Sequence, residues 1–121
     1  MSRFSRLRKK FKYAFRGLYI AFTSDNSFKI HFGVAIPVII LGFLLSFNPY
    51  EWIVIIFCIG LVLISELFNT AIEFLVRMFT GEYHKLAEKL LDISAGAVLL
   101  SSIISILLGL IIFIPHFIRT V

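Results

Sequence analysis

Two glutamates and an asparagine share one face of a helix inside an apolar part of the chain. Glu66, Asn69 and Glu73 follow one another at spacings of three and four residues within the apolar run 52–78. That spacing places the three side chains on the same side of an α-helix. A carboxylate inside a membrane segment is costly unless it is paired, neutralised or hydrated, so it indicates function by default. The pattern predicts a row of functional polar side chains, called the polar stripe below, along one face of this helix.

Further acids stand where two other apolar runs begin. With Asp25 and Asp92 included, up to four carboxylates could meet near one boundary of the membrane. Two or three carboxylates that leave coordination positions free suit Mg²⁺ when it also binds substrate phosphates. The sequence has no cysteine or histidine cluster with zinc spacing and no GxxxxGK[ST] phosphate loop. A bound nucleotide would therefore depend on metal and basic side chains.

Each acid also has a purely structural interpretation. Asp25 could cap the first span, and Asp92 could be a first-turn acid of the third. Glu73 could form an ordinary helical pair with Arg77, four residues later. Glu66 has the weakest structural interpretation, because no basic residue is close to it in sequence.

The composition indicates a membrane protein. Of the 121 residues, 60% are hydrophobic and 16% are charged, against about 45–50% and 25% in soluble domains. Runs of about 20 apolar residues can cross a bilayer. We therefore predict a single all-α membrane domain with transmembrane helices over 29–47, 52–78 and 92–118. His31 and His116 are expected at the membrane interface, and the lone Cys58 is expected to face lipid or to be packed.

Residues 1–23 are predicted to form an amphipathic surface helix. Its apolar face recurs at steps of three or four residues: Phe4, Leu7, Phe11, Phe15, Leu18 and Phe22. Seven of the twelve Lys and Arg residues lie between Arg3 and Arg16. Such a helix is attracted to anionic lipid, so the positive net charge indicates a membrane surface and no nucleic-acid partner.

The loop charges predict the orientation. The N-terminal helix and the loop 77–91 carry basic residues, whereas the loop 48–51 has none. The positive-inside rule puts the N-terminus and the loop 77–91 in the cytoplasm. The predicted location is a multi-pass protein of the inner (cytoplasmic) membrane, with its C-terminus outside.

The stretch 66–73, ELFNTAIE, resembles the ELxNTAIE signature of bacterial integral membrane diacylglycerol kinases and their undecaprenol kinase relatives. The likeness continues through 81–84 and 92–98, and upstream through 15–18 and 25–31. It covers roughly residues 6–110. Lys29-Ile30-His31 is closer to the undecaprenol kinase branch.

The resemblance implies an enzyme that transfers the γ-phosphoryl group of ATP to a membrane lipid hydroxyl with Mg²⁺, in a homotrimer whose sites are shared between subunits. By position, Glu66 would be the general base, supported by Asn69, while Asp25 and Glu73 would hold magnesium. Ser27 would line the lipid side beside Glu66. Nucleotide contacts are implied at seven positions: Arg6, Tyr13, Asp25, Glu73, Glu82, His84 and Asp92.

The chain departs from the family pattern at three positions. Leu91 stands where the family usually has Lys, Arg77 where it has Asp, and Asp25 where it has Glu. Losing the lysine removes a cation from the phosphate site. We hypothesise that Arg77, one turn beyond Glu73, restores that charge.

Three functions are compatible with these residues, and a kinase for undecaprenol or diacylglycerol is favoured. The first alternative is a catalytically degenerate lipid-binding trimer, which Leu91 and Arg77 support. The second is a small ion or drug transporter with Glu66 and Glu73 as proton sites. It is disfavoured because the outer half of the spans carries no charge.

Overall fold

The computed structural model describes residues 2–79 and 85–120, which contain four α-helices and no strand. In chain order these are α1 (Arg3–Ser24), α2 (Asn26–Leu44), α3 (Pro49–Met78) and α4 (Lys85–Thr120). The predicted all-α class is thereby confirmed.

Three of the helices are long and apolar enough to cross a membrane. α2, α3 and α4 contain 19, 30 and 36 residues, and a helix rises about 1.5 Å per residue. They begin earlier than predicted from hydropathy, at 26, 49 and 85 where 29, 52 and 92 were expected, and α2 also ends earlier, at Leu44 where 47 was expected. The difference is greatest in α4, because its first two turns carry the charged residues Lys85, Glu88 and Lys89, which lower the local hydropathy.

α1 is the expected amphipathic helix. Ser2 caps it by accepting a hydrogen bond from the backbone N–H of Ser5 at 3.2 Å. Its apolar side chains are largely exposed in the isolated chain, with Ala21 as the buried residue of the helix. A helix with such a face is suited to the membrane interface, where lipid would cover these side chains.

Asp25 forms the corner between α1 and α2. Its backbone N–H donates to the carbonyl of Ala21 at 3.0 Å and ends α1. Its side chain accepts from the backbone N–H of Ser27 at 2.9 Å and caps α2. The capping interpretation of Asp25 is thus correct, and this cap fixes where the first span begins.

The turn into α3 is defined by its own cap. Ser46 has a positive φ of 55° and reverses the chain, and Pro49 occupies the first turn, where its missing N–H has no cost. Asn48 and Glu51 form a capping box in which each side chain accepts from the other's backbone N–H. This turn sets the antiparallel register of α2 against α3.

Aromatic side chains pack at the end of the bundle next to this turn, which we call the aromatic end (Phe47, Trp52, Phe113, His116). Phe47 is buried and contacts the rings of Trp52, Phe113 and His116. His116 Nε2 also lies 2.6 Å from Glu51 Oε2. His116 therefore joins α4 to the start of α3.

α3 and α4 are joined along their length by small polar residues. Ser65 and Ser101 hydrogen-bond through their hydroxyls at 2.8 Å, and Ser105 Oγ donates to the carbonyl of Cys58 at 3.2 Å. Small residues let helices approach closely in a membrane, and their hydroxyls add interhelical bonds. Cys58 is 5% exposed, so it is packed between helices.

Gly42 is expected to be the most sensitive glycine of α2. A Cβ added there would lie 2.6 Å from Trp52 Cη2 and 3.0 Å from Phe47 Cδ2. We expect Gly42→Ala to destabilise the protein by about 1–3 kcal/mol, the usual cost of overpacking. Thermal unfolding in detergent micelles measures this.

Gly33, in the same helix, has nothing within 4 Å of an added Cβ. Gly33→Ala is the matched control and should leave the unfolding temperature unchanged or raise it, because alanine favours a helix by about 1 kcal/mol. Equal effects of the two substitutions would contradict the predicted overpacking.

Candidate active site

The antiparallel packing of α2 and α3 brings two pairs of polar residues together. Thr70 Oγ1 lies 2.7 Å from Asp25 Oδ2 and 2.9 Å from the backbone carbonyl of Glu66. His31 Nε2 lies 3.1 Å from Glu66 Oε1. The end of the bundle that carries Asp25, Glu66 and Glu73 is called the acidic end below.

Glu66 is the most buried acid of this group. It is 3% exposed, and its Oε2 makes no hydrogen bond within residues 2–79 and 85–120. An unsatisfied buried oxygen costs about 1–3 kcal/mol, so native proteins keep few of them. Such an atom is explained when a ligand or substrate group is its partner.

Asn69 and Glu73 continue the polar stripe along α3, and Ser94 on α4 contacts it. Asn69 Nδ2 donates to Glu73 Oε1 at 3.0 Å, and Ser94 Oγ donates to Asn69 Oδ1. Both ends of the Asn69 amide are therefore used, which fixes its orientation. Glu73 is half-buried and is held by this amide. The predicted support of Glu66 by Asn69 stays a prediction.

The electrostatics of Asp25 favour its ionised form. Partial burial opposes ionisation, but hydrogen bonds with the Thr70 hydroxyl, with the Glu66 side chain and with the backbone of Ser27 and Phe28 outweigh it and hold the pKa of Asp25 below its usual value. Asp25 is therefore an anion at neutral pH.

The other predicted site residues that the structure describes are exposed. Arg6 and Tyr13 lie on α1, Ser27 is in the first turn of α2, and Asp92 lies on α4. These side chains are accessible to a ligand. Two further predicted nucleotide contacts, Glu82 and His84, lie outside the described residues.

Asp92 is not the first-turn acid that the sequence suggested as its structural interpretation. α4 includes Lys85, and its first-turn acid is Glu88. Asp92 therefore lies about two turns inside the helix, and Ser94, two residues later, reaches Asn69. Arg77 is exposed on α3, with its guanidinium 5.4 Å from the ring centroid of Phe74.

Within the described ranges, no group of three or more His, Cys, Asp or Glu side chains is assembled to hold a metal ion. The described residues therefore do not form a metal site built from protein ligands alone. Mg²⁺ is commonly held by one or two carboxylates together with phosphate oxygens and water. Asp25 and Glu73 are oxygen donors of this kind, and the unpartnered oxygen of Glu66 belongs to the same acidic end. The donor set fits magnesium on that basis.

Sequence reasoning missed three residues of this cluster: His31, Thr70 and Ser94. Thr70 has a local signal, since it follows Glu66 by four residues on the same helical face. The contacts of His31 and Ser94 bridge 35 and 25 residues of sequence and depend on the register between helices. His31 was expected at the interface, which stays a prediction, and the structure adds its contact with the buried acid.

Two cavities adjoin the acidic end. A cleft of about 340 Å³ lies between α1 and α3 and is lined by Gly17, Ala21, Thr70 and Phe74 among others. A longer apolar groove of about 530 Å³ is bounded by α2, α3 and α4. The groove includes His31 near the acidic end and Phe117 near the aromatic end. Its size is typical of sites that hold small molecules.

The family described as prokaryotic diacylglycerol kinase matches residues 12–113. The chain belongs to this family. Undecaprenol kinase of Bacillus subtilis is 39% identical over 111 residues, covering 92% of this chain and 90% of that protein. Diacylglycerol kinase of Synechocystis is 37% identical over 106 residues, covering 87% of this chain and 61% of that longer protein. Diacylglycerol kinase of Escherichia coli K12 is 27% identical over 114 residues, covering 94% and 93% of the two chains.

Membership of the diacylglycerol kinase family establishes the chemistry in outline. The protein is a membrane-embedded lipid kinase, a phosphotransferase with an alcohol group as acceptor. A membrane lipid is its substrate. The predicted family, fold class and enzyme class are therefore confirmed.

Proposed function

We propose that this lipid kinase transfers the γ-phosphoryl group of ATP to the hydroxyl of undecaprenol or diacylglycerol, with Mg²⁺, at the acidic end of its helices. The observation that carries the proposal is Glu66, a buried carboxylate with one unpartnered oxygen on the same helical face as Asn69 and Glu73. A buried acid of this kind next to an apolar groove suits a base that acts on a lipid hydroxyl.

In the proposed reaction Glu66 acts as general base. The lipid hydroxyl would hydrogen-bond to Oε2, and its proton would pass to that oxygen as the hydroxyl oxygen attacks the γ-phosphorus. A new P–O bond to the lipid forms, the bond from the γ-phosphorus to the β–γ bridging oxygen breaks, and ADP leaves. Phosphoryl transfer needs mainly in-line positioning and charge stabilisation, so one base beside a neutralising site is sufficient.

Asp25 and Glu73 are the proposed ligands of magnesium. When bound, Mg²⁺ supplies positive charge that offsets the charge on the phosphate oxygens. The chain's own contribution is to orient the two carboxylates: Thr70 bonds Asp25, and Asn69 bonds Glu73. The lowered pKa of Asp25 keeps it in the anionic form that a metal requires.

The nucleotide and the assembly follow from the family resemblance. Exposed Arg6 and Tyr13 on α1 are proposed to contact ATP together with Asp92, and Glu82 and His84 are proposed for the same role. Ser27 is proposed on the lipid side. We also propose a homotrimer with sites shared between subunits.

The basic N-terminal helix supports an inner-membrane location with the N-terminus in the cytoplasm. In that orientation the acidic end faces the cytoplasm, where ATP is available. Undecaprenol is the first lipid to test, because the undecaprenol kinase relative is matched over 90% of its length.

Phosphoryl transfer in detergent–lipid micelles tests the proposal. Purified protein receives γ-labelled ATP with Mg²⁺ or with excess chelator, and undecaprenol or diacylglycerol in separate reactions. We expect label in one or both lipids with Mg²⁺ and loss of that label with chelator. If folded protein labels neither lipid, the degenerate lipid-binding trimer replaces the kinase as the best interpretation of Leu91 and Arg77.

A further inference from the structure

His31 connects the buried carboxylate of Glu66 to the apolar groove. Its Nε2 lies 3.1 Å from Glu66 Oε1, and its ring is part of the groove lining. The His31 side chain is 26% exposed and that of Glu66 only 3%. A molecule in the groove would therefore meet the imidazole next to the acid.

The two carboxylate oxygens of Glu66 differ in their hydrogen bonds. An ionised carboxylate can only accept hydrogen bonds, so when Glu66 is ready to act as a base, the N–H at His31 Nε2 must be the donor to Oε1. Oε2 has no hydrogen-bond partner within the described ranges. The Glu66 carboxylate, which lies beside the Asp25 carboxyl, thus has one oxygen held by His31 and one oxygen without a hydrogen-bond donor.

We propose that His31 is a positioning residue of the lipid kinase reaction. It holds Oε1 so that Oε2 faces the lipid hydroxyl. The inference rests on the proposed role of Glu66 as general base. In the step itself the hydroxyl proton moves to Oε2, the lipid oxygen bonds to the γ-phosphorus and the bond to the departing ADP breaks. His31 keeps its own proton throughout.

A matched pair of substitutions tests the hydrogen bond separately from the shape of the side chain. The amide nitrogen of glutamine reaches the place of histidine Nε2, whereas the shorter asparagine reaches only the place of Nδ1. We expect His31→Asn to lower kcat for the lipid about 10- to 100-fold, the range of a lost bond to a charged group. His31→Gln should keep kcat within a few-fold of the wild type, and KM for ATP should change little in both.

A purely structural role would give a different result. It would lower the yield or the unfolding temperature of both variants and leave kcat of the folded protein unchanged. The positioning role is overturned if His31→Asn turns over at the wild-type rate, or if His31→Gln is as slow as His31→Asn.

Including Glu66→Gln in the same assay separates the two proposals. Turnover by Glu66→Gln at the wild-type rate would refute both the role of Glu66 as general base and the positioning role of His31. Loss of turnover in Glu66→Gln, with turnover of His31→Asn unaffected, would refute only the positioning role of His31.

Infrared spectroscopy provides a readout that does not need turnover. The carboxyl band of Glu66 is assigned by its loss in Glu66→Gln. We expect this band to shift in His31→Asn and to stay in place in His31→Gln. An identical band in the wild type and His31→Asn would overturn the inference even if no lipid were labelled.

Discussion

Replacing Glu66 by glutamine should lower lipid phosphorylation about 10²- to 10⁴-fold, the usual contribution of a general base. Glutamine preserves the shape of the side chain and can still hydrogen-bond His31, but it cannot accept the hydroxyl proton. The loss should appear in kcat, with KM for ATP little changed. Initial rates with labelled ATP in micelles, at saturating lipid, measure it.

The same helix provides a matched control. Glu51 also pairs with a histidine, His116, but at the aromatic end. Glutamine is acceptable at the third position of a capping box, so Glu51→Gln should fold and turn over at close to the wild-type rate. A Glu66→Gln protein that keeps more than about a third of the wild-type rate would contradict the base role, since general-base contributions are much larger.

Replacing Arg77 by alanine should lower turnover by about 10³-fold if Arg77 neutralises phosphate charge, on the scale of arginines that do so elsewhere. Arg77 is exposed one turn beyond Glu73, while Leu91 stands where the family resemblance implies a lysine. If Arg77 supplies the charge that is lost at Leu91, a lysine at position 91 should compensate for the loss of Arg77. Leu91→Lys in the Arg77→Ala background should recover a large part of the lost rate.

Arg77→Lys serves as the control for charge alone and should keep most of the activity if a single cation is sufficient. Unfolding temperatures of all the variants show whether the protein remains intact. Full turnover by folded Arg77→Ala would contradict the hypothesis. Failure of Leu91→Lys to restore any rate would show that the two positions do not exchange.

Local patterns in the sequence were sufficient to predict the number and order of the helices and one face of the site, but not the exact helix ends. The spacing of Glu66, Asn69 and Glu73 determines a shared helical face, because that face depends only on the helical repeat. A local signal also exists for the start of α3, since Asn48 is its cap and Pro49 follows, but the span was predicted from hydropathy to begin only at 52. Such features depend on residues within one or two turns of each other.

The interhelical contacts could not be obtained in this way. Whether His31 lies beside Glu66 depends on the register of α2 against α3, which the turn at Ser46 and the packing of Gly42 on Trp52 determine together. An error of one helical turn would place another side chain opposite the acid. Ser94 reaches Asn69 for the same reason, through the packing of α4 on α3.

The length of α4 has an electrostatic consequence for the proposed phosphate site. Helix N-termini carry partial positive charge and serve as ready anion sites. α4 includes Lys85, so its positive end is at least seven residues from Asp92, or about 10 Å at 1.5 Å per residue. The macrodipole of α4 falls off within the first turn and so contributes little beside Asp92. If phosphate binds there as proposed, its charge would have to be balanced by side chains and metal, which would make each cation at the acidic end more important than it would be at a helix terminus.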